Sequence, residues 1–328
     1  MRVAVVGGGS WGTAFARLLA RAGNPTTLVC RDADQAAAIR ERHRNPRYLY
    51  DIELPPELHA ESMADADLSQ IELCAMAVPS RAFGAVAAEL APRVGDGAVW
   101  LSLTKGLEPA GQRRMSELLE EIAGHGRVAV LSGPNHAEEV ARDLPTASVL
   151  AAHDPQVALR LQTVMGGPSM RIYTSADVVG VEMCAAAKNV IAIAAGASDG
   201  MGFGDNAKAA IVTRGMAEMA RLGEAFGAQQ RTYSGMAGMG DLIATCTSRH
   251  SRNRRAGELL AKGVPPEWIE QEIGQVAEGL STTPALHALA DRCGLDLPIA
   301  LAVDSVASGR ATVTEALVAL MAREPTSE

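Results

Sequence analysis

With 328 residues, 48% of them apolar and 21% charged, the chain is long enough for two domains that each bury a sizeable core. Its 30 basic and 38 acidic residues leave a net charge of −8, and no Lys/Arg run resembles a nucleic-acid arm outside residues 249–255, which argues against broad nucleic-acid or anionic-membrane binding. The chain opens directly on a buried-strand pattern without the regions of a signal peptide, and its longest apolar stretch, near 191–197, falls far short of the roughly 20 residues that span a bilayer, so a cytoplasmic protein without membrane insertion is expected.

Short β-branched runs at 3–6, 27–30, 73–78, 98–103, 128–131 and 147–151 alternate with amphipathic stretches such as 12–21 and 115–122. Such alternation implies right-handed βαβ crossovers and a mostly parallel sheet covered on both faces. After Arg171-Ile-Tyr-Thr-Ser the pattern changes to long helical segments, expected at 181–197, 207–226, 252–261, 266–273 and 283–293, with a final pair ending near Ala322. The expected organisation is an α/β domain over 1–180 and an all-α domain over 181–328. Five scattered cysteines without a CxxC pair read as reduced and mostly buried.

Gly7-Gly8-Gly9-Ser10-Trp11-Gly12 follows the first strand and opens a helix, which is the setting of a dinucleotide fingerprint. Gly7 permits the tight turn, Gly9 lets backbone approach a pyrophosphate, and Gly12 allows helix and strand to pack closely, with the helix N-terminus facing the phosphates. The N-terminal domain is therefore expected to be a doubly wound Rossmann-type unit that binds NAD(P)(H). At the end of the second strand Arg31 stands where an acidic residue would select NAD. A guanidinium suits a 2′-phosphate, so NADP(H) is favoured, while Asp32 next door keeps NAD(H) open.

Thr104-Lys105-Gly106 follows a strand end at the ligand edge of such a sheet, where Lys105 can reach a substrate or cofactor. Ser132-Gly133-Pro134-Asn135-His136-Ala137 runs from another strand into a helix at the same edge; His136 reads as structural. In the helix expected at 181–197, Lys188 interrupts residues that are apolar on nearly every face. Burial would lower its pKa toward neutrality, which makes it the candidate general acid/base, with a lysine snorkelling from the helix edge as the alternative. Asp241 opens another apolar segment, either as a helix N-cap or as a partner that holds the Lys188 ammonium. Ser251-Arg252-Asn253 combines hydroxyl, guanidinium and amide at a helix start, the parts of a phosphate site, with a solvated basic face as the alternative for Arg249, Arg254 and Arg255. No group of His, Cys or carboxylates has metal-ligand spacing, and there is no G-x-S-x-G elbow.

The segments GGGSWGTAFA, TKGLEP, SGPNHAEEVAR, EMCAAAKNVIAIAAG, GDNAKAAIVTRGMAEM, GMGDLIATCTSRHSRNR and VAEGLSTTPAL, in this order, resemble the NAD(P)-dependent glycerol-3-phosphate dehydrogenases of bacteria over almost the whole chain. The resemblance implies reversible hydride transfer between a nicotinamide and C2 of sn-glycerol 3-phosphate or dihydroxyacetone phosphate, feeding phospholipid synthesis, in a homodimer. It implies that Lys188 is the proton-transfer lysine with Asp241 beside it. It implies substrate contacts at Lys105, Gly133, Lys188, Asp241, Ser251, Arg252 and Asn253, and at Asn135, which stands where the family commonly has Ser and can still donate and accept a hydrogen bond. Cofactor contacts follow for Ser10, Trp11, Arg31, Tyr48, Lys105, Ala137, Arg252, Val276 and Glu278 beside the fingerprint glycines. Two other interpretations suit a two-domain build, a ketopantoate-type reductase and a catalytically silent nucleotide sensor; the phosphate-binding triplet argues against the first and the Lys188–Asp241–Arg252 set against the second.

Overall fold

Residues in continuous apolar runs form the middle of one eight-stranded sheet in the computed structural model, which describes residues 1–324. The strands are β1 (Val3–Val6), β2 (Thr26–Cys30), β3 (Leu58–Ser62), β4 (Leu73–Met76), β5 (Val99–Ser102), β6 (Val128–Ser132), β7 (Thr146–Ala152) and β8 (Met170–Ser175). Their order is β3-β2-β1-β4-β5-β6-β7-β8, and its first six strands follow the doubly wound dinucleotide-binding order. Neighbours pair in parallel except β6 with β7, so the expected mostly parallel sheet carries one antiparallel step.

The chain divides into two units, Met1–Thr104 with Arg113–Glu182, and Lys105–Gln112 with Met183–Glu328. In the first unit the helices are α1 (Ser10–Arg21), α2 (Ala33–Arg42), α3 (Ser80–Leu90), α4 (Met115–Ala123), α5 (Ala137–Val140) and α6 (Pro155–Met165). Strand side chains alternate between the two sheet faces, and the core shows it directly. Val3 and Val5 join Phe15, Leu19, Ile39 and Leu161 in one apolar cluster, whereas Ala4 and Val6 join Phe83, Leu90 and Leu119 in another. A strand buried on both faces must be apolar at every position, which is why β1 and β4 read as unbroken hydrophobic runs. The edge strands β3 and β8 alternate buried with exposed positions and carry His59, Arg171 and Tyr173 outward, so their apolar signal is weak.

In the second unit the helices are α7 (Val178–Gly200, which begins in the first unit), α8 (Gly204–Ala225), α9 (Gln230–Tyr233), α10 (Asp241–Thr247), α11 (Arg252–Ala261), α12 (Ile269–Ile273), α13 (Glu278–Cys293), α14 (Pro298–Ala307) and α15 (Val313–Met321). No strand occurs in this unit among the described residues. Helix α7 corrects the estimate of apolar length: it runs 23 residues, and its best 18-residue window has a mean hydropathy of 1.6 with 89% of that window buried, the signature of a core helix. It crosses α11 at contact distance of the two backbones. A Cβ on Gly257 would lie 2.0 Å from the Ile193 carbonyl oxygen, and one on Gly196 would lie 1.8 Å from that of Arg254. Only glycine fits there, and the close crossing holds the start of α11 against α7. All five cysteines are free thiols; four are buried, Cys293 is exposed, and burial pushes the thiols of Cys30, Cys74 and Cys246 up to about 12.

Candidate active site

Strand order reverses between β1 and β4, and the carboxyl ends of strands at such a point form the ligand crevice of an open α/β sheet. Gly7 leaves β1 at φ +117°, and a Cβ on Gly12 would sit 1.9 Å from the Gly7 carbonyl oxygen, so the turn and the first coil of α1 can close only with glycines. A Cβ on Gly9 would meet nothing within 4 Å, no side chain caps α1, and the buried Trp11 Nε1 has no hydrogen-bond partner among the described residues. Open ground in front of a helix N-terminus, with a buried donor beside it, suits a pyrophosphate and fits a dinucleotide.

Two residues that the sequence did not single out fix this loop. The Gly8 carbonyl accepts from Gln35 Nε2 (2.7 Å) and from the fully buried Asn45 Nδ2 (3.0 Å). Asn45 also donates to Thr13 Oγ1 (2.8 Å), and its Oδ1 accepts from the amides of Arg47 and Tyr48 (both 3.1 Å). It thereby ties the glycine loop, α1 and the segment bearing Tyr48 together. Asn45→Ala leaves several buried polar groups short of a partner and should destabilise the protein by about 2–4 kcal/mol, read as a lower thermal midpoint together with weaker NADPH binding. An unchanged midpoint would contradict this role.

Arg31 is exposed directly after β2. Asp32 caps α2, its carboxylate accepting from the amides of Asp34 (2.9 Å) and Gln35 (3.3 Å). Farther along this unit, Gly133 follows β6, Asn135 is buried and donates from Nδ2 to Ser148 Oγ (2.9 Å), and Ala137 begins α5.

The second unit gathers Lys105, Lys188 and Asp241. Lys188 is 3% exposed and Asp241 2%, and Lys105 is mostly buried. Asp241 Oδ2 lies 3.0 Å from Lys105 Nζ, and its Oδ1 lies 3.3 Å from Lys188 Nζ. Lys188 Nζ also donates to Thr245 Oγ1 (2.8 Å), whose hydroxyl donates to the Asp241 carbonyl one turn back (2.6 Å). Asp241 is thus the first residue of α10 behind Gly240, a correction to the N-cap alternative; its side chain serves two ammoniums instead of the helix amides. Burial alone would push its carboxyl up, but Lys105 and then Lys188 overcome this and hold it below the usual carboxylate range. Burial drives Lys105 down from 10.5 to about 8 against the pull of Asp241, because one carboxylate is shared with Lys188, and Arg252 adds positive charge. Two ammoniums around one buried carboxylate make a site with surplus positive charge, suited to an anionic substrate and to proton exchange near neutral pH.

Amides lock this arrangement. The Gly279 N–H donates to Asn253 Oδ1, Asn253 Nδ2 donates to Asn189 Oδ1, and Asn189 Nδ2 donates to the Lys105 carbonyl, each at 2.8 Å. Asn253, expected to touch substrate, is committed at both ends of its amide to this chain. Ser251 caps α11, accepting from the Arg254 amide (3.2 Å), and Arg252 stands exposed at the first helical position with no carboxylate partner among the described residues. Arg254 is not a loose basic side chain: it pairs with Asp199 (2.6 Å) and Glu258 (3.0 Å). Val276 is half-buried, and Glu278 begins α13.

Residues 2–158 match the family model of the NAD-dependent glycerol-3-phosphate dehydrogenase N-terminus, and residues 177–318 match that of its C-terminus. The chain belongs to the NAD-dependent glycerol-3-phosphate dehydrogenase family. It is 48% identical to a glycerol-3-phosphate dehydrogenase [NAD(P)+] of Parafrankia sp., across 100% of this chain and 98% of that one. It is 46% identical to another from Salinibacter ruber, across 93% and 89%. A crystal structure of the glycerol-3-phosphate dehydrogenase of Coxiella burnetii superposes with a TM-score of 0.93 at 38% identity, covering 98% of this chain and 99% of that one. Of the residues that could serve a dehydrogenase of this family, Gly7, Gly9, Ser10, Trp11, Gly12, Arg31, Tyr48, Gly133, Asn135 and Ala137 lie in the first unit, and Lys105, Lys188, Asp241, Ser251, Arg252, Asn253, Val276 and Glu278 in the second. Thr245 and Asn189 complete the second set: Thr245 accepts from Lys188 Nζ, and Asn189 donates to the Lys105 carbonyl.

Proposed function

We infer that this protein interconverts dihydroxyacetone phosphate and sn-glycerol 3-phosphate with NAD(P)(H), and that the buried Lys105–Asp241–Lys188 cluster of the second unit carries the chemistry. The observation behind this reading is one carboxylate bridging two ammoniums at 3.0 and 3.3 Å. A bound dihydronicotinamide supplies the hydride that reduces C2. Lys188 Nζ gives its proton to the oxygen developing on C2 and recovers one from solvent, while Asp241 and Thr245 hold that nitrogen in place. The Lys105 ammonium stabilises negative charge beside it. Arg252, the amides at the start of α11 and that helix's dipole hold the substrate phosphate. Gly133 and Asn135 belong to the substrate set, and Val276, Glu278, Tyr48 and Ala137 to the cofactor set. The test compares dihydroxyacetone phosphate with dihydroxyacetone, which offers the same carbonyl without the phosphate. NADPH should be consumed with the first and hardly at all with the second; equal rates would contradict a phosphate grip.

The cofactor preference proposed is NADP(H). Asp32 is engaged as a cap, and Arg31 stands exposed after β2 where a 2′-phosphate would be met. Arg31→Ala should lower kcat/KM for NADPH about tenfold or more, the scale of one charge-assisted hydrogen bond. The NADH value should barely change, and equal losses with both cofactors would overturn the assignment. We further propose a cytoplasmic homodimer that supplies glycerol 3-phosphate for phospholipid synthesis. Its free, largely buried cysteines support the compartment, and the exposed apolar Val318 and Met321 of α15 support the assembly.

A further inference from the structure

Away from the glycine loop and the lysine cluster, the first unit brings together two histidines and a carboxylate whose sequence spacing is unlike any metal motif. Glu120 lies in the last turns of α4. The chain then turns at Gly124 into a short 3-10 turn, His125–Arg127, that leads into β6. Because β7 runs antiparallel to β6 with Ala152 opposite Ala129, the next residue along, His153, emerges beside the turn that bears His125. Topology thus juxtaposes residues 28 positions or more apart, which spacing could not reveal.

His125 Nδ1 lies 3.2 Å from Glu120 Oε2, and His153 Nε2 lies 3.3 Å from Glu120 Oε1. One ligand atom from each of the three residues falls within 4.8 Å of the other two. A tetrahedral ion with bonds of about 2.05 Å needs donors roughly 3.3 Å apart, close to both spacings. The imidazole rings stack at a centroid distance of 3.9 Å and an interplanar angle of 20°, so one ring must rotate for both in-plane nitrogen lone pairs to converge on a single ion. The Glu120 Oε1 atom is buried and faces the His153 ring nitrogen at 3.3 Å without the geometry of a good hydrogen bond. The outer side is open, with the His125 side chain 64% exposed, which gives an ion a route in and leaves a coordination position for water.

We propose that Glu120, His125 and His153 form a surface site for one divalent transition ion of the zinc class, bound by two imidazole nitrogens and a carboxylate, that clamps the end of α4 to the start of β6 and the end of β7. Nitrogen and oxygen donors with an open fourth position match zinc or cobalt(II) and not magnesium, which prefers an all-oxygen shell. This site is separate from the residues assigned to hydride transfer, so its test does not depend on that assignment.

The experiment titrates the full chain carrying Cys293→Ser, which removes the one exposed thiol, with Co²⁺ followed by its visible absorption, and with Zn²⁺ in competition with a chromophoric indicator. One ion per chain should bind, with a visible band and no thiolate charge-transfer band in the near ultraviolet, and Zn²⁺ should raise the thermal midpoint. His125→Ala and His153→Ala should each weaken binding at least tenfold, Glu120→Gln should do likewise, and the double histidine variant should abolish it. Circular dichroism and the metal-free melting curve of each variant establish that it is folded. Absence of saturable binding, or binding of undiminished affinity in the folded double histidine variant, would overturn the proposal.

Discussion

Replacing Lys188 by alanine lowers kcat for dihydroxyacetone phosphate reduction by about 10²–10⁴-fold, the usual contribution of a positioned proton donor, and leaves NADPH affinity unchanged. The two halves of this expectation rest on different units. Lys188 lies in α7 with its nitrogen 2.8 Å from Thr245 and 3.3 Å from Asp241, whereas the glycine loop and its Asn45 tether lie in the first unit. Lys188→Arg separates charge from proton transfer. The guanidinium keeps the positive charge but does not release a proton at working pH, so kcat should fall nearly as far as in the alanine variant. A substantially active arginine variant would mean that Lys188 acts by charge alone. Titration of NADPH fluorescence supplies the binding measurement.

Asp241→Asn has the larger structural consequence. It leaves two buried ammoniums without their shared carboxylate, and breaking a buried pair in this way costs about 3–5 kcal/mol. Activity should fall with it, since this carboxylate meets both lysine nitrogens. The pH dependence follows from the direction of each shift. The Asp241 carboxyl is depressed in the folded protein, so its stabilisation is complete above the unfolded value of about 3.9 and is lost as pH falls through the folded value below it. Lys105 is depressed to about 8 from 10.5, so between those values the unfolded chain binds the extra proton and stability rises with pH. Without Asp241, Lys105 should shed its proton still more readily. The gap in thermal midpoint between wild type and Asp241→Asn should therefore be wide at pH 7 and narrower at pH 9. A gap that stays constant across that range would show that the cost is not electrostatic.

How much of this could be foreseen varies with the distance over which each feature is built. The glycine loop is local: a strand, three glycines and a helix start are contiguous, and the clash that makes Gly12 obligatory lies within the same loop, at the Gly7 carbonyl. Lys188 was visible because a charge in an apolar helix is an anomaly, and Arg252 because it shares a helix start with Ser251. Asn45 was not visible, since its worth lies in hydrogen bonds to residues 32 and 37 positions away. The alternative roles of Asp241 could be separated only by seeing which partners its carboxylate meets. Strands β3 and β8 escaped notice because edge strands need an apolar residue only at every second position. Within the phosphate triplet Ser251 caps a helix, Asn253 is tied to Asn189 and Gly279, and Arg252 is exposed, a division of labour that residue types alone do not give.

The most direct test of the assignment is product analysis of the purified chain incubated with dihydroxyacetone phosphate and NADPH, with glycerol 3-phosphate quantified by phosphorus NMR and its configuration fixed enzymatically. One sn-glycerol 3-phosphate should appear for each NADPH consumed, and none with Lys188→Ala over the same interval. NADPH oxidation without glycerol 3-phosphate, or no oxidation by the folded wild-type chain with either NADPH or NADH, would contradict the account.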